Sequence, residues 1–193
     1  MSSLVISGDT SGQVTISAPA VAGSNTLTLQ AATATNSVNT LSTAVASTSG
    51  TSITFSSIPS WVKRITMMLK GVGTSSTSYK LIQLGSGSPT ITGYAASGTA
   101  IVGSVVGGAG YTTGFGIADA TAASRLSGSY VFTLENASTN TWCCNGTSAN
   151  ASTTMLFSAG NVSLAGTLDR IIFTTVNGTD TMAAGEINIL YEG

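Results

Sequence analysis

The sequence contains no histidine. That removes the side chain most often used as a general base near neutral pH, and the commonest ligand of transition metals. A Ser-His-Asp arrangement is thereby excluded. No G-x-S-x-G elbow occurs, and a Ser-Lys pair built on Lys63, Lys70 or Lys80 has no supporting motif. Charge is almost as scarce. Only 7% of the 193 residues are Asp, Glu, Lys or Arg, against about 25% in ordinary soluble proteins. The net charge is −1, and apart from Lys63-Arg64 the cations are scattered. The chain therefore lacks the basic footprint that nucleic-acid binding requires.

The two cysteines, Cys143 and Cys144, are adjacent. Neighbours in sequence tie no distant parts of the unfolded chain together, so a disulfide between them would stabilise little. Without histidine they also lack partners for a zinc site. Their expected place is on opposite faces of one strand, in a protein made in a reducing cytoplasm. The acids are Asp9, Asp119, Glu135, Asp169, Asp180, Glu186 and Glu192. Glycoside hydrolysis needs two carboxyl groups flanking a cleft, yet Glu186 and Glu192, on one side of the last strand, stand about 20 Å apart. Solvated surface or ion pairing, as for Asp169 beside Arg170, is the expected role. No D-x-D pattern suggests calcium, and Gly108 to Gly114 misses the nucleotide-loop spacing. No catalytic, cofactor-binding or metal residue is therefore assigned. Residues 81–118 carry no charge, but glycines at 103, 107, 108, 110, 114 and 116 break the run. Strands rather than a membrane-inserted helix are expected there. The start, Met1-Ser2-Ser3-Leu4, has no basic n-region and suggests no secretory signal.

Composition divides the chain. Residues 1–50 contain one charge, Asp9, and no aromatic residue, the first being Phe55. Short alternating pieces carry Leu4 and Ile6, then Val14 and Ile16, then Leu27 and Leu29, separated by turn-forming residues. Burying these six aliphatic side chains yields roughly 1.5–3 kcal/mol each. That cannot offset about 1–2 kcal/mol of backbone entropy per ordered residue. Burial between chains is expected, with Leu4, Ile6, Val14, Ile16, Leu27 and Leu29 as the assembly interface. Residues 31–50 read as a linker, with Val38, Leu41 and Val45 weakly matching a helical face.

From Thr51 onward the pattern is β. Strands are expected at Ile53–Phe55, Val62–Lys70, Tyr79–Leu84, Thr90–Tyr94, Ala100–Val106, Tyr130–Glu135, Thr141–Cys144, Thr154–Ser158, Arg170–Val176 and Glu186–Tyr191. Asn145-Gly146 and Asn177-Gly178 read as hairpin turns, and Gly107–Ala123 as a long Greek-key crossover loop. So many short strands without helical periodicity mean a β-sandwich or barrel, and a jelly roll is the expected topology. The fold class is thus all-β, a short N-terminal β assembly segment (residues 1–50 with its linker) followed by a jelly-roll-like β-sandwich (residues 51–193). Tyr94, Tyr111 and Trp142 fall in or near expected loops, where exposed rings would stack on sugars; core or interface packing is the other reading.

Two stretches carry a family resemblance. Gly8-Asp9-Thr10-Ser11-Gly12-Gln13-Val14-Thr15-Ile16-Ser17-Ala18-Pro19-Ala20-Val21-Ala22-Gly23-Ser24-Asn25-Thr26-Leu27-Thr28-Leu29 resembles a segment near the start of tail-fibre and other virion proteins of tailed bacteriophages, notably marine and cyanobacterial ones. Ser24 and Gln30 depart from its usual form. Phe55-Ser56-Ser57-Ile58-Pro59-Ser60-Trp61-Val62-Lys63-Arg64-Ile65-Thr66 and the ending Gly185-Glu186-Ile187-Asn188-Ile189-Leu190-Tyr191-Glu192 look like the body domain that often follows. The resemblance implies a non-enzymatic virion protein made in the host bacterial cytoplasm. It implies a homotrimer held to capsid or tail proteins by its N-terminal segment, with the β domain outward. A tail-fibre component that meets a host-surface glycan is the first expectation. A capsid cement or decoration protein at threefold positions is the alternative, and a polysaccharide-degrading spike a distant one.

Overall fold

The computed structural model describes residues 3–7, 13–17, 39–150 and 153–193. The chain divides into two compact units, Met1–Asn36 and Ser37–Gly193. In the first, β1 (Ser3–Ser7) and β2 (Gln13–Ser17) form an antiparallel ribbon. Its register sets Leu4 opposite Ile16 and Ile6 opposite Val14. Leu27 and Leu29 lie outside the described residues.

The second unit opens with β3 (Asn39–Leu41) and β4 (Val45–Ala46), then β5 (Ile53–Phe55), β6 (Arg64–Thr74), β7 (Lys80–Ser86) and β8 (Ser88–Pro89). It continues with β9 (Ala95–Val102), β10 (Val105–Tyr111), β11 (Phe115–Ile117), β12 (Leu126–Asn136) and β13 (Thr141–Ala149). The last strands are β14 (Thr154–Ser163), β15 (Arg170–Thr175) and β16 (Met182–Glu192). A nine-stranded sheet runs β10-β9-β14-β13-β12-β6-β16-β3, with β4 also on β16. A five-stranded sheet runs β11-β7-β15-β5, with β8 on β7. All pairs are antiparallel. The pairing is nested: β6 with β16, β7 with β15, β9 with β14, in alternate sheets. A ribbon wound over itself in this way is the jelly-roll principle. Here β12–β13–β14 add a meander that joins the inner pair to β6.

Alternation places the core between the sheets. Ile65, Met67 and Leu69 of β6 stand opposite Phe132, Tyr130 and Gly128 of β12. The small sheet answers with Ile53, Phe55, Ile82, Leu84, Ile171 and Phe173, all buried. Phe115 joins the layers, with ring centroids 5.0 Å from Tyr94 and 5.5 Å from Phe132.

Several expectations are corrected. Residues 39–46 are neither linker nor helix, because β3 and β4 complete the edge of the large sheet beside β16. Ala100–Val106 is the centre of a β9–β10 hairpin that turns at Gly103-Ser104, with Gly103 at φ +59°. Thr90–Tyr94 contains no strand. The expected crossover loop Gly107–Ala123 is broken by strand, since residues 107–111 belong to β10 and 115–117 to β11. The strand expected to end at Lys70 runs on to Thr74, with Gly71 at φ +62°. Asn145-Gly146 is mid-strand, since β13 passes through it. A Cβ at Gly146 would come within 2.3 Å of the Tyr130 ring and 2.7 Å of the Ser129 carbonyl oxygen. The glycine there seats a core tyrosine and makes no turn. Asn177-Gly178 does turn, with Gly178 at φ +67°, but it carries the chain from the small sheet to the large one.

Candidate functional site

On β9, β12, β13 and β14 every second residue points away from the core, and these outward positions align across the strands. One row runs Ser129, Thr147, Phe157, Thr99. The next runs Val131, Asn145, Ala159, Ser97. Together they line a cleft of about 480 Å³ on the outer face of the large sheet. That volume lies within the ordinary range of small-ligand sites.

The chemistry of the cleft is uniform. None of its lining residues is charged. Ser97 Oγ donates to the Ala109 carbonyl at 3.3 Å. The side chains of Thr99, Ser129, Asn145 and Thr147 have no hydrogen-bond partner among the described residues. Phe157 is 40% exposed, a large apolar ring left facing solvent. The ion pairs of this face lie on the β6–β16 pair. There Lys70 Nζ meets Glu186 Oε1 at 2.8 Å and Arg64 Nε meets Glu192 Oε2 at 3.5 Å. The Glu186 carboxylate, by hydrogen bond and charge, raises the Lys70 ammonium above its usual range.

The three aromatic residues considered for sugar contact are elsewhere. Tyr94, Tyr111 and Trp142 are all buried. Tyr94 Oη accepts from the Leu84 amide at 2.9 Å and packs edge-on to Phe115. Tyr111 covers Gly116, where a Cβ would strike its ring at 2.3 Å. Trp142 belongs to the central apolar cluster beside Val162. Tyr111 and Trp142 lie within β10 and β13, while Tyr94 does sit in the loop before β9 but turns its ring into the core. Burial raises the phenols of Tyr94 and Tyr111 to about 12. The residues that do shape the concave face, Phe157 and Asn145 foremost, were overlooked. Their signal was parity: with Leu156 and Val162 inward, Phe157 must point out.

Five acids of the described residues, Asp119, Asp169, Asp180, Glu186 and Glu192, are engaged one by one rather than in facing pairs. Lys80, fully buried, meets Asp119 Oδ2 at 2.7 Å, the Asp119 carbonyl at 3.0 Å and the Thr121 carbonyl at 3.2 Å. All three ammonium protons thus have acceptors, which is what a buried cation requires. Asp180 accepts from the Ser78 amide at 3.0 Å and from Asn177 Nδ2 at 2.6 Å. Asp169 pairs with Arg170 at 2.8 Å, and the guanidinium lowers its carboxyl below the usual range. Cys144 is buried and Cys143 exposed, on opposite faces of β13. Burial drives the Cys144 thiol far above its usual range, so it stays protonated. Among the described residues no group of three or more His, Cys, Asp or Glu could hold a metal ion. Among the described residues no helix is long and apolar enough to cross a membrane. No protein-family model, no curated protein and no solved structure matches this chain.

Proposed function

We propose that this chain is a non-enzymatic structural protein of a tailed-bacteriophage particle, a homotrimer attached by its N-terminal segment and displaying the β-sandwich outward as a tail-fibre-type component. The observation that carries the reading is the division of labour between the two units. A body with a complete two-sheet core begins at Ser37, and ahead of it stands a separate two-stranded ribbon. An isolated two-stranded ribbon is marginally stable at best in water, so β1 and β2 call for a partner surface. The register that sets Leu4 against Ile16 and Ile6 against Val14 gives the ribbon four aliphatic residues to offer it. Outward display is supported by the uncharged cleft on the large sheet.

The test is location and copy number. Purified particles labelled against the body and viewed by electron microscopy should carry label on the tail, in few copies. Particles lacking the protein should keep intact heads and fail to adsorb to host cells. Label spread over the head in hundreds of copies, with heads that weaken in its absence, would establish the cement role instead. Release of reducing sugar from host polysaccharide by the pure protein would overturn the non-enzymatic assignment.

A further inference from the structure

We infer that the outer-face cleft of the large sheet is a binding site for a neutral glycan, with Phe157 as the stacking platform and Thr99, Ser129, Asn145 and Thr147 as hydrogen-bonding contacts. The inference deepens the display reading by naming the ligand class of the displayed face. It rests on that reading only for where the glycan comes from.

The chemistry of the lining selects the ligand. Hydroxyl and carboxamide groups both donate and accept, which matches sugar hydroxyls that do the same. Four such side chains converge on the cleft with no partner of their own among the described residues. An apolar ligand would cover them and leave them unsatisfied, an outcome that disfavours it. Phosphate or carboxylate would find no cation in the cleft, because the Lys70 and Arg64 charges are taken up by Glu186 and Glu192 on β6 and β16. Nucleic acid is disfavoured by the same lack. An extended peptide adds to a sheet at an unpaired edge, whereas the cleft lies over the middle of four paired strands. A sugar ring has an apolar C–H face, and Phe157 supplies the exposed flat surface to receive it. The span from β9 to β12 covers three strand spacings, roughly 14 Å, long enough for a short oligosaccharide.

The full-length protein should be applied to a printed array of neutral and anionic bacterial surface oligosaccharides, and the best neutral hit titrated by NMR. Neutral members should bind, with amide shifts confined to β9, β12, β13 and β14. Phe157→Ala and Asn145→Ala should each weaken binding roughly tenfold, the equivalent of about 1.4 kcal/mol, while an exposed control, Thr133→Ala, leaves it unchanged. Both test positions point outward, and matching thermal melts would show that the variants are folded. Absence of binding to any neutral member, binding to anionic members alone, or affinity that survives both substitutions would overturn the inference. Glycan binding by a protein then found nowhere on the particle would remove the display reading and leave the site standing.

Discussion

Lys80 is the residue where chemistry and packing are most tightly coupled. Its position in β7 points it between the sheets, with Ile82 and Leu84, toward the end of the sandwich where Asp119 closes the interior. A buried ion pair adds little net stability when complete, but removing one partner strands the other charge, at about 3–5 kcal/mol. Lys80→Met should therefore lower the urea midpoint sharply. The double variant Lys80→Met with Asp119→Leu should recover most of that loss, because no uncompensated charge remains. A single variant as stable as the parent would show that Asp119 reaches water. Alkali probes a different set of groups. Tyr94 and Tyr111 have phenols raised to about 12 by burial, against about 10 in an unfolded chain. Above pH 10 the unfolded state sheds these protons and the folded state keeps them, so stability falls as pH rises. It is fully present below pH 10 and lost toward pH 12. Tyrosinate absorbance from the two should rise together with loss of β circular dichroism; ionisation well before unfolding would contradict their burial.

At the scale of the strand, β13 shows how one dipeptide serves two faces. Gly146 makes room inward for Tyr130, whose hydroxyl bonds Ser148 Oγ at 2.6 Å, while Asn145 points outward into the cleft. Gly146→Ala would drive a methyl into the Tyr130 ring and the neighbouring strand, and overpacking of this kind costs about 1–3 kcal/mol. Thermal unfolding should show the loss, and a cleft distorted with it should also bind any ligand less well. A wild-type melting curve would mean that the Tyr130 ring has space to move. The same dipeptide marks the limit of reading strands from sequence. Period-two alternation was legible wherever one face is apolar, as in Ile65, Met67 and Leu69, or Ile187 and Ile189. Turn chemistry was legible in Gly178, where φ is positive, and misleading at Asn145-Gly146, because a glycine chosen for packing has the same letter as one chosen for conformation. The glycine-rich β10 read as a loop for a related reason: at Gly107, Gly108 and Gly110 there is no side chain to alternate. The cleft was hidden because its lining is distributed over four strands far apart in sequence, and only the register brings Ser97, Ser129, Asn145 and Phe157 together.

At the scale of the molecule, stability and assembly fall to different parts of the chain. The central apolar cluster of the described residues runs from Ile53 to Ile189, wholly within the Ser37–Gly193 unit. First and last strands of that unit are knitted together, β3 and β4 against β16 and β16 against β6. Every residue of that cluster, and every strand paired with those that carry it, falls between 39 and 193. A chain starting at Ser37 should fold and melt within about 2 °C of the full-length protein, a shift that corresponds to less than about 1 kcal/mol for a domain of this size. A chain cut instead at Thr51 loses β3 and β4, exposes the β16 edge, and should melt lower. Under the proposed assembly the first truncation has a second consequence. Without the β1–β2 ribbon its mass in solution, measured by light scattering, should fall from three chains to one, and tagged copies should be absent from particles. A truncated chain that stays trimeric would move the subunit contacts onto the body, where β10 offers an uncharged edge with Val105 and Val106 both about two-thirds exposed. Such an edge pairs readily with another chain, so a Val106→Lys change in that truncated chain would then separate the copies.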